Sequence, residues 1–380
     1  MMVIYKKLRI TEIETRLRFF VCSSLEGALR GLLHQSIITP FGSSVNGFGR
    51  FDCDLDMVLE LESEDPKEGN MSEGCTYFMS KIRLENERQH TQQCLDTVAG
   101  ILRHFMPHFQ YVRRILNARV PIVKFRHAGC EVECDLCLSN RSALYMSELL
   151  YTFGQLDPRV HPLVFTIRHW ARANQITHSG PGPWISNFTL SLLVMFHLQS
   201  VGVVPSIYTL RSLAGPNERK SIEDIDCSFT TDVKRVAPSK NKQSLGEVLM
   251  SFLEFYGKFD FSTHAISLVS GKTFAKPENT PLYLENPIET ELNVSKNVMD
   301  TNLANFQQGC REALEQLGSC GGCSLQQPWG VMSVLKTANV AEEETKLNTQ
   351  IRGIFDDVSE EDEAAEEDGE DKEQRSEHRH

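Results

Sequence analysis

Two aspartates stand two residues apart in a short segment that also carries strongly apolar residues. Asp54 and Asp56 alternate with Leu55 and Met57. Side chains alternate across a β-strand, so this spacing predicts both carboxylates on one face and both apolar side chains in the core. Adjacent carboxylates repel each other, and a divalent cation removes that repulsion. Oxygen ligands of this kind favour Mg²⁺ or Mn²⁺, which can also hold phosphate oxygens.

A third carboxylate and a glycine-containing turn extend the pattern. Asp135 lies in a later apolar run, between Cys134 and Leu136, and a β-sheet can place it beside the first pair. Three carboxylates can hold two metal ions ~3.5–4 Å apart, the arrangement used for in-line phosphoryl or nucleotidyl transfer. The dipeptide Gly42-Ser43 supplies backbone N–H groups and a hydroxyl that can bind phosphates.

Each of these signals is weak alone, because most D-x-D strands are solvated faces and G-S turns are common. The combination is more specific, with an interval of eleven residues between Gly42 and Cys53. Two other motifs are set aside. The G-K-T sequence at 271–273 is not a P-loop, because Ile266 stands where the first glycine is required. The C-x-x-C sequence at 320–323 has no convincing second ligand pair for zinc.

The elements that must position these groups divide the chain into two unlike halves. Strand-like runs around one helix predict a small mixed β-sheet, and helical periodicity dominates afterwards. The predicted fold class is α+β, with a sheet domain and N-terminal helix over 1–140, a mostly helical domain over 141–340 and a disordered acidic tail over 341–380. The predicted strands are 37–41, 51–61, 109–116, 120–125 and 131–138, and the predicted helices are 5–33, 88–105, 144–156, 162–173, 186–199, 206–213, 245–259 and 298–317.

The acidic tail also accounts for most of the net charge. The chain carries −12, which taken alone argues against a nucleic-acid binder. Residues 356–380 hold 13 acidic and three basic residues, which leaves −2 for residues 1–355. The tail has almost no large apolar residue after Val358, so it cannot bury enough surface to offset chain entropy. The nearly neutral body is therefore compatible with a local basic groove.

Three further features bear on the class of protein. The 11 cysteines are scattered and follow no secretory signal, so we expect reduced thiols. The longest strongly apolar stretch, Phe188–Leu198, is far shorter than the ~20 residues of a membrane-spanning helix, so no membrane insertion is predicted. The N-terminus shows no targeting leader. We expect the chain to begin inside a fold, as a fragment, a processed form or an isoform.

The block from Gly42 to Asp135 resembles the DNA polymerase beta-like nucleotidyltransferase superfamily: G-S, then D-x-D, then a separate aspartate. Within it, the chain is similar to non-conventional poly(A) polymerases and terminal uridylyltransferases, and most of all to the mitochondrial poly(A) polymerases. The resemblance implies a nucleotidyltransferase palm domain followed by a helical central domain. The phrases that carry it are F-G-S-S-V-N at 41–46, C-D-L-D-M at 53–57, I-L-N-A-R at 115–119, S-E-L-L-Y at 147–151 and N-V-S-K-N-V at 293–298.

The resemblance also implies a role for each matched position. Asp54, Asp56 and Asp135 match the carboxylates that hold two Mg²⁺ or Mn²⁺ ions, and Asp135 also orients or deprotonates the RNA 3′-hydroxyl. The nucleotide-binding positions match Gly42, Ser43, Arg168 and Arg172 at the triphosphate, Ala118 at the ribose and Phe188 on the base. Arginines replace the lysines of relatives and phenylalanine replaces tyrosine, so charge and stacking are retained. The plainer interpretation of the two arginines is a solvated helix face.

Two departures from the family pattern concern nucleotide choice. Met146 stands where many relatives carry an asparagine that contacts the ribose. Leu292 stands where uridylyltransferases carry a base-selecting histidine, and its loss argues for ATP over UTP. We also expect the chain to lack the upstream domain that assists dimerisation in the mitochondrial relatives, which makes a homodimer doubtful.

The predicted function is template-independent addition of AMP from ATP to RNA 3′ ends, with release of pyrophosphate. The predicted partners are ATP and RNA 3′ ends, and the resemblance implies a mitochondrial location. One alternative is a terminal uridylyltransferase. Another is a catalytically impaired isoform that acts as an RNA-binding scaffold, although the presence of all three aspartates speaks against it.

Overall fold

The computed structural model describes residues 1–319 except 32, 34–35, 62–85, 139, 179, 181 and 223. These residues form nine α-helices and nine β-strands. The helices are α1 (Met2–Leu8), α2 (Glu12–Leu29), α3 (Glu87–Phe105), α4 (Arg141–Leu156), α5 (Val160–Ala173), α6 (Asn187–Ser200), α7 (Ile207–Ser212), α8 (Leu245–Lys258) and α9 (Asp300–Ser319), and the strands are β1 (Ser36–Phe41), β2 (Leu55–Leu61), β3 (Phe109–Ile115), β4 (Ile122–His127), β5 (Val132–Leu138), β6 (Ser221–Ile222), β7 (Ile225–Asp226), β8 (His264–Ser267) and β9 (Lys272–Ala275).

The first half of the chain is built on one five-stranded sheet with the order β1-β2-β5-β4-β3. The central pair β2 and β5 is parallel, and the other three pairs are antiparallel. The sheet is therefore mixed and small, and the α+β prediction is confirmed. All five predicted strands are present, although their ends differ by up to four residues.

The core of this first half lies between the sheet and helices α2 and α3. Leu55 and Met57 of β2 are completely buried, as are Val21 and Leu25 of α2 and Leu95 of α3. Burial of one such side chain contributes about 1.5–3 kcal/mol. The alternation predicted around the D-x-D motif is therefore real, because its apolar members face this core and its acidic members face away.

The N-terminal helix differs from the prediction. The sequence pattern predicts one helix over 5–33, but the structure has two helices separated at Arg9. Thr11 begins the second helix with a capping box, in which its hydroxyl accepts from the Glu14 N–H and the Glu14 carboxylate accepts from the Thr11 N–H. Arg9 forms an isolated bridge with Arg50. A local cap and a tertiary contact thus override the helical periodicity.

The second half is a helical assembly with its own apolar core. Helix α6 is apolar on all sides, and residues 189–198 are buried without interruption, so this helix forms the centre of the assembly. The sequence analysis missed the hairpin of β8 and β9, whose turn contains Gly271 at a φ of +68°. The G-K-T sequence lies at this hairpin, so the rejection of a P-loop is confirmed.

Two segments from the sequence analysis lie wholly outside the described residues: the C-x-x-C sequence at 320–323 and the predicted acidic tail over 341–380. Within the described part of the chain, no helix is both long and apolar enough to cross a membrane. The eight cysteines that the structure describes are free thiols, as predicted.

Candidate active site

Strand register brings two of the three predicted aspartates side by side. β2 and β5 run parallel with Asp56 opposite Asp135. Asp54 lies immediately before β2, because residues 50–53 form a turn closed by a hydrogen bond from the Cys53 N–H to the Arg50 carbonyl. The Asp54 carbonyl accepts a hydrogen bond of 3.0 Å from the Ser44 hydroxyl. The glycine turn and the D-x-D segment therefore support each other.

The Gly42 turn requires a residue without a side chain. Gly42 has a φ of +71°, and a Cβ built on it would lie 2.5 Å from Oδ2 of Asp56. β1 and β2 pair with Phe41 opposite Asp56, so the turn begins directly beside this carboxylate. The Gly42 N–H donates to the Ser147 hydroxyl of α4 at 2.7 Å. That hydrogen bond ties the turn to the helical half of the molecule.

Among the described residues, one cation lies inside the aspartate cluster. Nζ of Lys124 lies 3.0 Å from Oδ2 of Asp54 and 3.1 Å from Oδ1 of Asp135. Burial disfavours the charged ammonium, but the two carboxylates outweigh burial and raise the pKa of Lys124. Burial and the neighbouring aspartates raise the pKa of Asp56 to about 7. Burial is also the main cause of the raised pKa of Asp135, against the opposing effect of Lys124.

The donor set suits a hard divalent cation. Oδ1 of Asp135 is buried and, apart from the Lys124 ammonium nearby, has no hydrogen-bond partner among the described residues. Three carboxylates with one ammonium carry an excess of negative charge, and carboxylate oxygens are preferred ligands of Mg²⁺ and Mn²⁺. In the described part of the chain, no three acidic, histidine or cysteine side chains already converge closely enough to form a metal-binding group.

A cavity of about 540 Å³ lies between the sheet and helices α4, α5 and α6. Its volume falls within the usual range of small-molecule sites. The predicted residues that line it are Gly42, Ser43, Asp54, Asp56, Arg168 and Phe188. Asp135, Arg172 and Ala118 are not part of its lining. Met146 of α4, which the sequence analysis singled out as a departure, also lines it.

The two predicted arginines of α5 differ in their surroundings. Arg168 is partly buried and donates to the Phe48 carbonyl at 2.6 Å and to Oδ1 of Asn187 at 3.2 Å. Burial, with repulsion from Arg50, lowers the pKa of Arg168 to about 10, so its guanidinium keeps its charge at neutral pH. Arg172 is half-exposed and forms an ion pair of 3.2 Å with Asp52. Both arginines thus connect the helical half to the segment before β2, at Phe48 and Asp52.

The other two predicted nucleotide positions lie apart from each other. Phe188 at the start of α6 is 37% exposed and lines the cavity. Ala118 lies in the loop between β3 and β4, where its carbonyl accepts from Arg88 at 2.9 Å. The neighbouring Arg119 forms an ion pair of 3.4 Å with Glu289 in the late part of the chain.

Comparisons with known proteins agree with this arrangement. The family described as "Poly(A) RNA polymerase, mitochondrial-like, central palm domain" matches residues 1–155, and the family described as "Cid1 family poly A polymerase" matches residues 244–294. The crystal structure of mtPAP in complex with ATPγS is 40% identical, covers 88% of this chain and 71% of that chain, and superposes with a TM-score of 0.81. The chain belongs to the mitochondrial poly(A) polymerase family.

Curated members of this family show the same degree of similarity. The mitochondrial poly(A) RNA polymerase of Drosophila melanogaster is 45% identical over 78% of this chain and 49% of its own length. The human mitochondrial poly(A) RNA polymerase is 40% identical over 87% of this chain and 58% of its own length. The chain therefore spans about half the length of the curated relatives it matches.

The sequence analysis missed two charged residues of the site. Lys124 stands opposite Asp135 in the antiparallel pair of β4 and β5, and the short connection between these strands could have predicted that pairing. Asp52 extends the motif to D-x-D-x-D and forms ion pairs with Arg50 and Arg172. Burial opposes the charge of Asp52, but the two guanidinium groups outweigh it and lower its pKa.

Proposed function

We propose that this chain adds AMP from ATP to RNA 3′ ends without a template, with release of pyrophosphate. One observation carries the proposal: in a member of this family, Asp54 and Asp56 line a nucleotide-sized cavity beside the Gly42 turn, and Asp135 is paired with Asp56 by strand register. The proposed substrates are therefore ATP and an RNA 3′ end, and the proposed location is the mitochondrion.

Asp54, Asp56 and Asp135 are proposed to hold two Mg²⁺ or Mn²⁺ ions. Bound there, such ions neutralise charge on the triphosphate and lower the barrier to in-line attack at the α-phosphorus. The carboxylates themselves fix the site, because β2 and β5 are central strands with fully buried apolar neighbours on their other face.

Asp135 is proposed to accept the hydrogen bond of the attacking RNA 3′-hydroxyl. Oδ1 of Asp135 is buried and, apart from the ion pair with Lys124, accepts no hydrogen bond from the described residues. The proton of the hydroxyl then moves to this carboxylate as the 3′-oxygen attacks.

The remaining predicted residues are proposed to orient ATP. Arg168 presents a charged guanidinium at the cavity wall for the triphosphate, and the Gly42-Ser43 turn contributes backbone and hydroxyl donors. Phe188 is proposed to stack on the adenine. Arg172 and Ala118 are assigned to the triphosphate and ribose by the family pattern alone. The side chain of Leu292 cannot donate a hydrogen bond to uracil, and this favours ATP over UTP.

The test is an extension assay with an oligo(A) RNA, Mg²⁺ and each nucleoside triphosphate separately. We expect ladders with ATP and loss of those ladders in Asp135→Asn. Asp96→Asn serves as the matched control, since Asp96 is half-exposed and pairs with Arg114 on the surface. Ladders with UTP but none with ATP would identify a uridylyltransferase. Unchanged extension by Asp135→Asn would exclude the assigned chemistry.

We also propose that the boundary between the two domains lies near residue 140. The two apolar cores support this division, because the sheet core and the helical core form separate clusters of buried residues, although Leu8 of α1 and Phe48 pack into the helical core. Light scattering after size-exclusion chromatography tests the homodimer that the family resemblance suggests.

A further inference from the structure

Lys124 is placed like a cation inside the aspartate cluster. Its Nζ lies within hydrogen-bond distance of Asp54 and within ion-pair distance of Asp135, at 3.0 and 3.1 Å. The lysine side chain is only 20% exposed, and that of Asp135 only 21%. Water therefore screens the contact with Asp135 less than it screens an ion pair on the open surface, where such pairs are worth little, whereas the Asp54 side chain is 48% exposed.

The sheet determines this position. Lys124 stands directly opposite Asp135, and its neighbours Val123 and Phe125 are buried on the opposite face of the sheet. A shift of one residue in the pairing of β4 with β5 would turn Lys124 into the core and expose both apolar side chains. Packing of the core thus holds the ammonium against the aspartates.

One ammonium balances only part of the charge of three carboxylates. Lys124 contacts Asp54 and Asp135, while Asp56 is oriented beside the Gly42 turn. A divalent cation that takes Oδ2 of Asp54 or Oδ1 of Asp135 as a ligand approaches an oxygen that Lys124 contacts, and its charge repels the ammonium at that distance. The lysine and the cation therefore compete for these two oxygens.

We propose that Lys124 is a built-in counter-ion that holds the aspartates together before the divalent cation arrives and that the cation displaces it. This inference rests on the proposed function, because it concerns the same site. Lys124 thereby lowers the affinity for the metal alone, since each binding event must first break its two ion pairs. It acts as a positioning residue for the carboxylates.

The test is the binding of Mn²⁺ alone to the full chain, measured by electron paramagnetic resonance of free Mn²⁺ and by calorimetry. We expect Lys124→Met to lower the Kd for Mn²⁺ about tenfold, as the loss of competing charged hydrogen bonds predicts. Lys124→Arg keeps a cation and should retain a Kd close to that of the wild type. Lys258→Met is the matched control, because Lys258 forms an exposed ion pair with Glu254 on α8.

Two results would overturn the inference. An unchanged or higher Kd for Lys124→Met would overturn the inference, because the lysine would then be neutral or helpful to metal binding. If Lys124→Met does not fold by circular dichroism, Lys124→Gln takes its place with the same criteria. The double variant Asp54→Asn with Asp135→Asn must lose the Mn²⁺ signal, or the measured ions bind elsewhere and the inference fails. Failure of the proposed function would show separately, as absence of AMP incorporation by the wild type.

Discussion

Two groups of charged side chains at the site carry opposite charges and are neutralised in different ways; we call them the acidic wall and the basic wall, although Asp135 and Arg172 do not line the cavity itself. On the acidic wall, formed by Asp54, Asp56 and Asp135, one lysine faces three carboxylates, and the pKa of Asp56 is raised to about 7. On the basic wall, formed by Arg168 and Arg172, each guanidinium has an oxygen acceptor from the sheet half at 3.2 Å or less.

This difference suits the acidic wall to the chemical step and the basic wall to ATP binding. The acidic wall keeps an excess of negative charge that only a further cation can remove, so it is suited to gather metal ions. The basic wall is already satisfied by protein acceptors, so a triphosphate must exchange with those acceptors and gains less. We therefore expect substitutions on the acidic wall to reduce turnover and substitutions on the basic wall to weaken ATP binding.

The largest expected effect comes from Asp54→Asn. An amide keeps the shape of the carboxylate but loses the charge that holds a divalent cation, so the extension rate should fall about 10³-fold, or roughly 4 kcal/mol. Single-turnover extension of oligo(A) with saturating ATP measures this rate. Asp96→Asn should stay within about twofold of the wild type, as a surface charge change usually does. A loss below about tenfold for Asp54→Asn would remove the distinction between the walls.

The second-largest expected effect is a pH dependence of the free energy of unfolding of the metal-free protein. Because the pKa of Asp56 is raised above its unfolded value of 3.8 to about 7, the folded state retains a proton that the unfolded state has lost between those pH values. The free energy of unfolding should therefore fall as pH rises from about 4 to 7, by at most about 4 kcal/mol from this residue.

Denaturation in EDTA at pH 5 and pH 8 measures the fall. Asp56→Asn should show a smaller decrease than the wild type, because the amide does not titrate. If both proteins lose the same stability between these pH values, the excess charge of the acidic wall does not reside on Asp56.

A third effect tests how the turn supports the acidic wall. Gly42→Ala introduces a Cβ that would lie 2.5 Å from Oδ2 of Asp56, at a φ of +71°. We expect destabilisation of about 1–3 kcal/mol and loss of most extension activity, because the carboxylate must move. Gly27→Ala is the control, since nothing lies within 4 Å of its Cβ and α2 should gain about 0.5–1 kcal/mol. Equal melting temperatures for both variants would contradict the close approach.

The smallest effect belongs to the basic wall. Arg172→Ala removes a half-exposed guanidinium that already pairs with Asp52, so the KM for ATP should rise only about three- to tenfold while kcat changes little. Steady-state kinetics over a range of ATP concentrations separate the two constants. Arg16→Ala, which breaks an exposed pair on α2, should alter neither. A drop in kcat with an unchanged KM would place Arg172 with the acidic wall instead.

Much of the fold was predictable because its signals are local. The predicted strand over 131–138 and the helix over 88–105 match β5 and α3 to within one residue, since alternation and helical periodicity depend on neighbouring residues only. The helix predicted over 5–33 was wrong in its continuity, because the cap at Thr11 and the bridge of Arg9 interrupt it. The hairpin of β8 and β9 was missed, because each strand has only four residues.

For the candidate site, the sequence alone determined the types and faces of the acidic residues. The period of two in β2 and β5 directs Asp56 and Asp135 away from the core wherever those strands pair, and Gly42 permits a turn that no other residue adopts so easily. The tertiary structure alone decided which partners they meet. Asp56 and Asp135 are 79 residues apart, and their pairing, like the insertion of Lys124, depends on the strand register set by core packing.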